Sequence, residues 1–191
     1  KGRSYLTFTN TNVLRDGMAR DANVTAFDFA LYNKKNTHLL QGTARYSKIW
    51  STTPYDGFNT TLRFAKVSGY WQYSLQNNIE SDKYDPNDLG FLTAPNEINN
   101  TATLSYNQFT PTKNFITYSY SLSLHYNFNY LPRKYAMFQF RTRSFWVFKN
   151  FWDISFQAVL NPMPVDDYFV LQTDGKFIHY PLNYVLIAEG S

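Results

Sequence analysis

"FITYSYSLSLHYNFNYL", residues 115–131, sorts its side chains by parity. Every second residue from Ile116 reads Ile116, Tyr118, Tyr120, Leu122, Leu124, Tyr126, Phe128 and Tyr130. The set from Phe115 reads Phe, Thr, Ser, Ser, Ser, His, Asn and Asn. Side chains of a β-strand alternate between its two faces, so the stretch predicts a strand with one apolar and one polar face. From Phe115 to Tyr130 it is far longer than the usual strand of about 5–6 residues, and long enough to cross a bilayer, which takes about 9–11. The apolar face is also graded: Tyr118 and Tyr120 come first, Leu122 and Leu124 stand in the middle, and Tyr126, Phe128 and Tyr130 follow.

The same alternation recurs on both sides. "NVTAFDFALY" sets Phe27, Phe29 and Leu31 against Ala26, Asp28 and Ala30, and "HLLQGTARYSK" sets Leu40, Gly42, Ala44 and Tyr46 against Gln41, Thr43 and Arg45. "GFNTTLRF", "GYWQYSLQ" and "NTATLSYNQ" repeat it with Leu62 and Phe64, Trp71 and Leu75, and Leu104 and Tyr106. "AMFQFRTRS" opposes Ala136, Phe138, Phe140 and Thr142 to Gln139, Arg141 and Arg143, and "FWDISFQAVL" opposes Trp152, Ile154, Phe156 and Leu160 to Asp153, Ser155 and Gln157. A last strand is predicted over 177–187, broken near Pro181. No helical period of apolar residues competes. Short connections at 33–36, 66–69, 110–114 and 148–150 alternate with longer ones at 49–57, 79–98 and 161–176, and 131–135 is short on the long side. An up-and-down meander with turns at one end and loops at the other has the asymmetry of a transmembrane barrel.

Composition narrows the classes. Aromatic residues make up 19% and charged residues 17% of 191, where soluble domains carry about 25% charged residues. The net charge of +4 is scattered rather than run together, which argues against nucleic acid as a partner. The chain has no Cys, hence no disulfide framework and no thiolate chemistry. No apolar run suits a transmembrane helix, and no signal peptide is visible. The chain opens and closes in mid-pattern, as expected of a single β-barrel segment, 1–191, from a longer precursor.

An apolar strand face meets either a protein core or lipid. The aromatic–aliphatic–aromatic order and a polar face poor in Lys and Glu favour lipid outside and a polar lumen within. The fold expected is all-β: an antiparallel up-and-down transmembrane β-barrel, a section of a larger one, with a soluble β-sandwich or solenoid as the plainer reading. The predicted lipid-facing residues are Ile116, Tyr118, Tyr120, Leu122, Leu124, Tyr126, Phe128, Phe138, Phe140, Trp152, Ile154 and Phe156. The predicted lumen residues are Arg45, Arg63, Ser121, Ser123, His125, Asn127, Arg141, Arg143 and Asp153.

"LRDGMARDANVTAFDFAL", "APNEINNTATLSYNQFTP" and "SFWVFKNFWDISFQAVLNPMPVDDYF" resemble a family of outer-membrane proteins from Bacteroidota, with "RDANVTAFD" and "NFWDISFQAVLNP" the most distinctive parts. In that family an uncharacterised C-terminal β-barrel domain often follows a domain similar to family-nine carbohydrate-binding modules. The resemblance implies the outer membrane of a Gram-negative bacterium and a glycan role for an N-terminal part. It brings no catalytic residues.

Chemistry-bearing motifs are few. His38, His125 and His179 lack ligand spacing, and no nucleophile-elbow or phosphate-loop pattern occurs. Asp82, Asp85 and Asp88 in "ESDKYDPNDLG" are oxygen ligands in a loop that suit Ca²⁺, against the plainer reading of turn residues. Asp85 with Asp166 would make a glycosidase pair only if folding joined them. Arg45, Arg63, Arg141 and Arg143 read as a cationic stripe biasing solute passage, or as partners of Asp28 and Asp153. Trp50, Tyr55, Tyr84 and Phe91 would stack on sugars or sit at an interface. The function expected is a non-catalytic outer-membrane anchor, or a channel for a solute or polymer. Its partners would be membrane lipid, other outer-membrane or periplasmic proteins, and glycan. The alternative is a soluble all-β glycan-binding module using the loop aromatics.

Overall fold

The computed structural model describes residues 3–92, 95–171, 173 and 176–191. Aromatic and β-branched residues at alternate positions fit a pleated surface, and among these residues every regular element is a strand. They are β1 (Tyr5–Val13), β2 (Asp21–Tyr32), β3 (His38–Trp50), β4 (Tyr55–Lys66), β5 (Trp71–Glu80), β6 (Glu97–Gln108), β7 (Phe115–Asn129), β8 (Lys134–Phe148), β9 (Asp153–Asn161), β10 (Val165–Asp167), β11 (Ile178–Tyr180) and β12 (Asn183–Gly190). Ten form one sheet in the order β1-β2-β3-β4-β5-β6-β7-β8-β9-β12, and β10 with β11 makes a separate hairpin. Each neighbouring pair is antiparallel.

Several expectations are corrected here. Eight alternating segments and the last one over 177–187 predict nine strands; the sheet has ten, because β1 joins it and the 177–187 segment contributes β12 after splitting. Pro181 supplies no ladder N–H, so Ile178–Tyr180 pairs with β10 while Asn183–Gly190 returns to β9. Trp152 lies outside β9, exposed in the turn that precedes it. The connection read as 49–57 shrinks to 51–54, because Ile49 and Tyr55 continue the ladder. The long connections at the second end are therefore 81–96 and 162–182, and the tight turns at the first end are 33–37, 67–70, 109–114 and 149–152. Gly69 turns the second of these at φ +82, where a side chain would be strained. The sheet is open, with β1 and β12 as its two edges, so it is not a closed ring.

Register places the expected sets on opposite faces. Leu40, Phe64, Leu75, Ala102, Leu124, Phe140 and Leu160 follow one another across β3 to β9 on the apolar face. On the polar face Gln41, Arg63, Gln76, Thr101, His125 and Gln139 do the same. Ile116 falls at a register shift between Phe115 and Thr117.

Burial runs opposite to a soluble sheet. Ala22, Ala30, Leu39, Ser47, Ile49, Asn59, Ala65, Glu80, Asn129, Gln139, Ser155 and Asn161 are buried, and all are on the polar face. On the apolar face Leu62 is 52% exposed, Leu75 58%, Leu104 47%, Leu122 40% and Phe156 49%, whereas Ile98 is buried.

The sheltered polar face as candidate functional site

All the predicted lumen residues share the sheltered face. Arg45 stands opposite Asn59, Arg63 opposite Gln76, Arg141 opposite Ser123, Arg143 opposite Ser121 and Asp153 opposite Val147. His125 faces Thr101, whose hydroxyl lies 3.2 Å from its Nδ1, and Asn127 stands opposite Asn99. Hydroxyl and amide side chains bond across strands: Thr103 and Ser123 hydroxyls meet at 3.0 Å, and Thr61 Oγ1 and Asn59 Nδ2 both donate to Asn78 Oδ1, at 2.8 and 3.0 Å. Such pairs satisfy polar groups laterally and leave a wettable wall.

The two readings of the arginines divide. Arg45 lies 3.9 Å from the Asp28 carboxylate, which also accepts a bond from Thr43 at 2.9 Å. Arg63, Arg141 and Arg143 have no carboxylate within 4.0 Å among the described residues. Asp153 accepts from the Ser191 hydroxyl at 2.7 Å instead.

One connection is folded onto this face. Tyr84, 5% exposed, and Asp85 lie over β3 and β4, where Ser47 and Ile49 are fully buried. The Asp85 amide donates to Ser47 Oγ at 3.1 Å, and the Ser81 hydroxyl accepts from the Phe58 amide at 2.8 Å. Gly57 permits the approach, since a Cβ there would collide with the backbone of Lys83 and Tyr84. Charge completes the clamp. Arg15 Nη1 lies 2.8 Å from Asp88 Oδ1, Arg20 Nη2 2.7 Å from Asp88 Oδ2, and the Tyr55 hydroxyl donates to Asp85 Oδ2 at 2.7 Å. Burial pushes the Asp85 carboxyl up, but the Tyr55 hydroxyl, the Asn87 amide and the Arg20 guanidinium outweigh it and hold it below its ordinary value.

This clamp rearranges three sequence expectations. Asp85 and Asp88 face arginines, and among the described residues no three His, Cys, Asp or Glu side chains gather as a metal group. Asp166 belongs to the β10–β11 hairpin, where its Oδ1 lies 2.6 Å from His179 Nδ1. Of the four loop aromatics, Tyr55 and Tyr84 are engaged in the clamp, while Trp50 at 47% and Phe91 at 88% are exposed. Sequence reasoning missed Arg15 and Arg20 altogether. The one local signal was a glycine, Gly57, inside a strand pattern, which marks close backbone approach.

Apart from Ile116, at the register shift, and Trp152, outside β9, the predicted lipid-facing residues share the opposite, apolar face. Trp71, Tyr106, Tyr118, Tyr120 and Trp146 cluster toward the tight-turn end, with ring centroids 5.1 Å apart for Trp71 and Tyr106 and 5.7 Å for Tyr120 and Trp146. Tyr126, Phe128, Phe138 and Phe140 cluster toward the other end, with centroid separations of 4.5 to 5.7 Å. Between them lie Leu75, Ala102, Leu104, Leu122 and Leu124.

No curated protein and no solved structure matches the chain. The model of a domain of unknown function, DUF5916, matches residues 1–191, and the chain belongs to that family.

Proposed function

We propose that this chain is part of the wall of an outer-membrane β-barrel in a Gram-negative bacterium, non-catalytic, serving as anchor or as channel for a solute or polymer. The observation that carries the reading is the inverted burial: the apolar face is open and the polar face is sheltered. In water that arrangement forfeits about 1.5–3 kcal/mol for each large apolar side chain that a core would bury. In lipid the same face is solvated by acyl chains. The banding of leucine between two aromatic clusters supports the same medium, since amphipathic rings favour the headgroup level.

Strand length agrees. β2 to β8 run from 10 to 15 residues, against about 9–11 for a crossing. Lipid tolerates no open edge, because each unpaired backbone group costs several kcal/mol there. In this reading β1 and β12 pair further, with each other or with additional strands. Lipid is then the partner of the apolar face, and other outer-membrane or periplasmic proteins are partners of the loops.

Flotation with liposomes tests the reading. The refolded chain is expected to float with the vesicles and to resist alkaline extraction. A monomer that stays folded in detergent-free buffer and remains at the bottom of the gradient overturns it. Planar-bilayer conductance then separates channel from anchor.

A further inference from the structure

We propose that Arg141 and Arg143 of β8, with Ser105, Ser119 and Ser121 of β6 and β7, form a binding site for soluble oxyanions: sulfate, phosphate or carboxylate groups of a solute or polymer. The inference rests on the polar face being a wetted wall and adds the class of ligand it takes. Arg141 and Arg143 are two residues apart on one face, which places their Cα atoms about 7 Å apart. The two side chains bring like charges to one face, and neither has a carboxylate within 4.0 Å among the described residues. Arg141 Nη2 donates only to the neutral Gln139 Oε1, at 3.2 Å.

Of the carboxylates on the same face, Asp28 pairs with Arg45, and three others are met by neutral donors. Glu80 accepts from Asn59 at 3.0 Å, Glu189 from Ser155 at 3.4 Å and Asp153 from Ser191 at 2.7 Å. Around Arg143 the face is built of small donors. Ser121 lies opposite it, Ser105 lies opposite Ser121, and a hollow of about 320 Å³ is lined by Ser105, Asn107, Ser119, Ser121 and Arg143 together with Tyr120 and Phe145, with Arg141 outside the hollow, two residues along the strand. Guanidinium presents paired N–H groups in the geometry of an oxyanion, and hydroxyls supply the remaining donors. Both arginines are exposed and reachable on a face that shelters most of its other side chains.

The test is fluorescence anisotropy of a trisulfonated pyrene dye on the full chain in neutral detergent, at low and high salt. Wild type is expected to bind, with affinity falling as salt rises. R141Q/R143Q is expected to bind at least about tenfold more weakly, while R141K/R143K recovers part of the loss and R133Q, in the 130–133 connection, changes nothing. Sulfate, phosphate and acetate competition then ranks the oxyanions. Equal binding by wild type and R141Q/R143Q, or no binding by wild type, overturns the proposal. Circular dichroism reports folding, and R143Q alone serves if the double variant misfolds. Binding is read in detergent, so a chain that binds dye but fails to float with liposomes removes the membrane reading and leaves the site standing.

Discussion

The corner where 81–92 covers β3 and β4 and the wall formed by β6, β7 and β8 are held by different means. In the corner, protein buries protein: Ile49 and Ser47 are sealed, Gly57 admits a second backbone, and two arginines grip two aspartates. In the wall Ile98 is buried, but Leu104, Tyr120, Leu122 and Tyr126 stand open. The corner is complete in itself, whereas the wall needs a medium to cover it. One sheet thus contains a small conventional core on its polar side and a broad exposed apolar surface on the other.

The largest effect should come from the wall. Leu122→Arg is expected to cost about 2–4 kcal/mol in a bilayer, and Tyr118→Arg, nearer the turn, about 0–1. Equilibrium unfolding from vesicles reads both, and equal penalties at the two positions would make the apolar face a protein contact rather than a lipid one. In the corner, Gly57→Ala is expected to cost about 1–3 kcal/mol through overpacking against the backbone of Lys83 and Tyr84. It should also expose 81–92 to limited proteolysis; an unchanged digestion pattern would mean that the connection does not depend on that approach.

Asp88→Asn is a smaller blow, about 1–2 kcal/mol, because its arginine partners are partly exposed and screened. Protease sensitivity of 81–92 that rises with salt in wild type but not in the variant would confirm the charge contribution. The smallest effect is on pH. Because Asp85 is held below its ordinary value in the folded chain, it stabilises docking above the unfolded carboxylate value of about 3.9. That contribution is lost as pH falls through the lower folded value. Hydrogen exchange at 81–92 should therefore be flat from neutral pH down to about 5 and quicken only below about 4, after correction for intrinsic rates. Quickening centred near neutrality would point to another group.

Much of the wall was legible. The parity of 115–131 sets which side chains share a face whatever the surroundings, and the antiparallel neighbours inherit it once their turns are short. Trp152 falls one residue before β9, because alternation alone does not say where a ladder begins. The corner was illegible for a different reason. Arg15 and Arg20 meet Asp85 and Asp88 from 65 to 73 positions away in sequence, and no period or motif records such a meeting. The same holds for the calcium expectation: Asp82, Asp85 and Asp88 look like loose loop carboxylates until the arginines that claim two of them come into view.

By itself, the sequence of this protein determined β2 to β9, their two faces and the antiparallel meander, because alternation and short turns are local properties of the backbone. Only the tertiary structure decided that the polar face is the sheltered one, that 81–92 lies on it, that β1 and β12 are the edges of the sheet, and that among the described residues Arg141 and Arg143 have no carboxylate within 4.0 Å. Those outcomes depend on contacts between distant segments, which the spacing of neighbours along the chain does not encode.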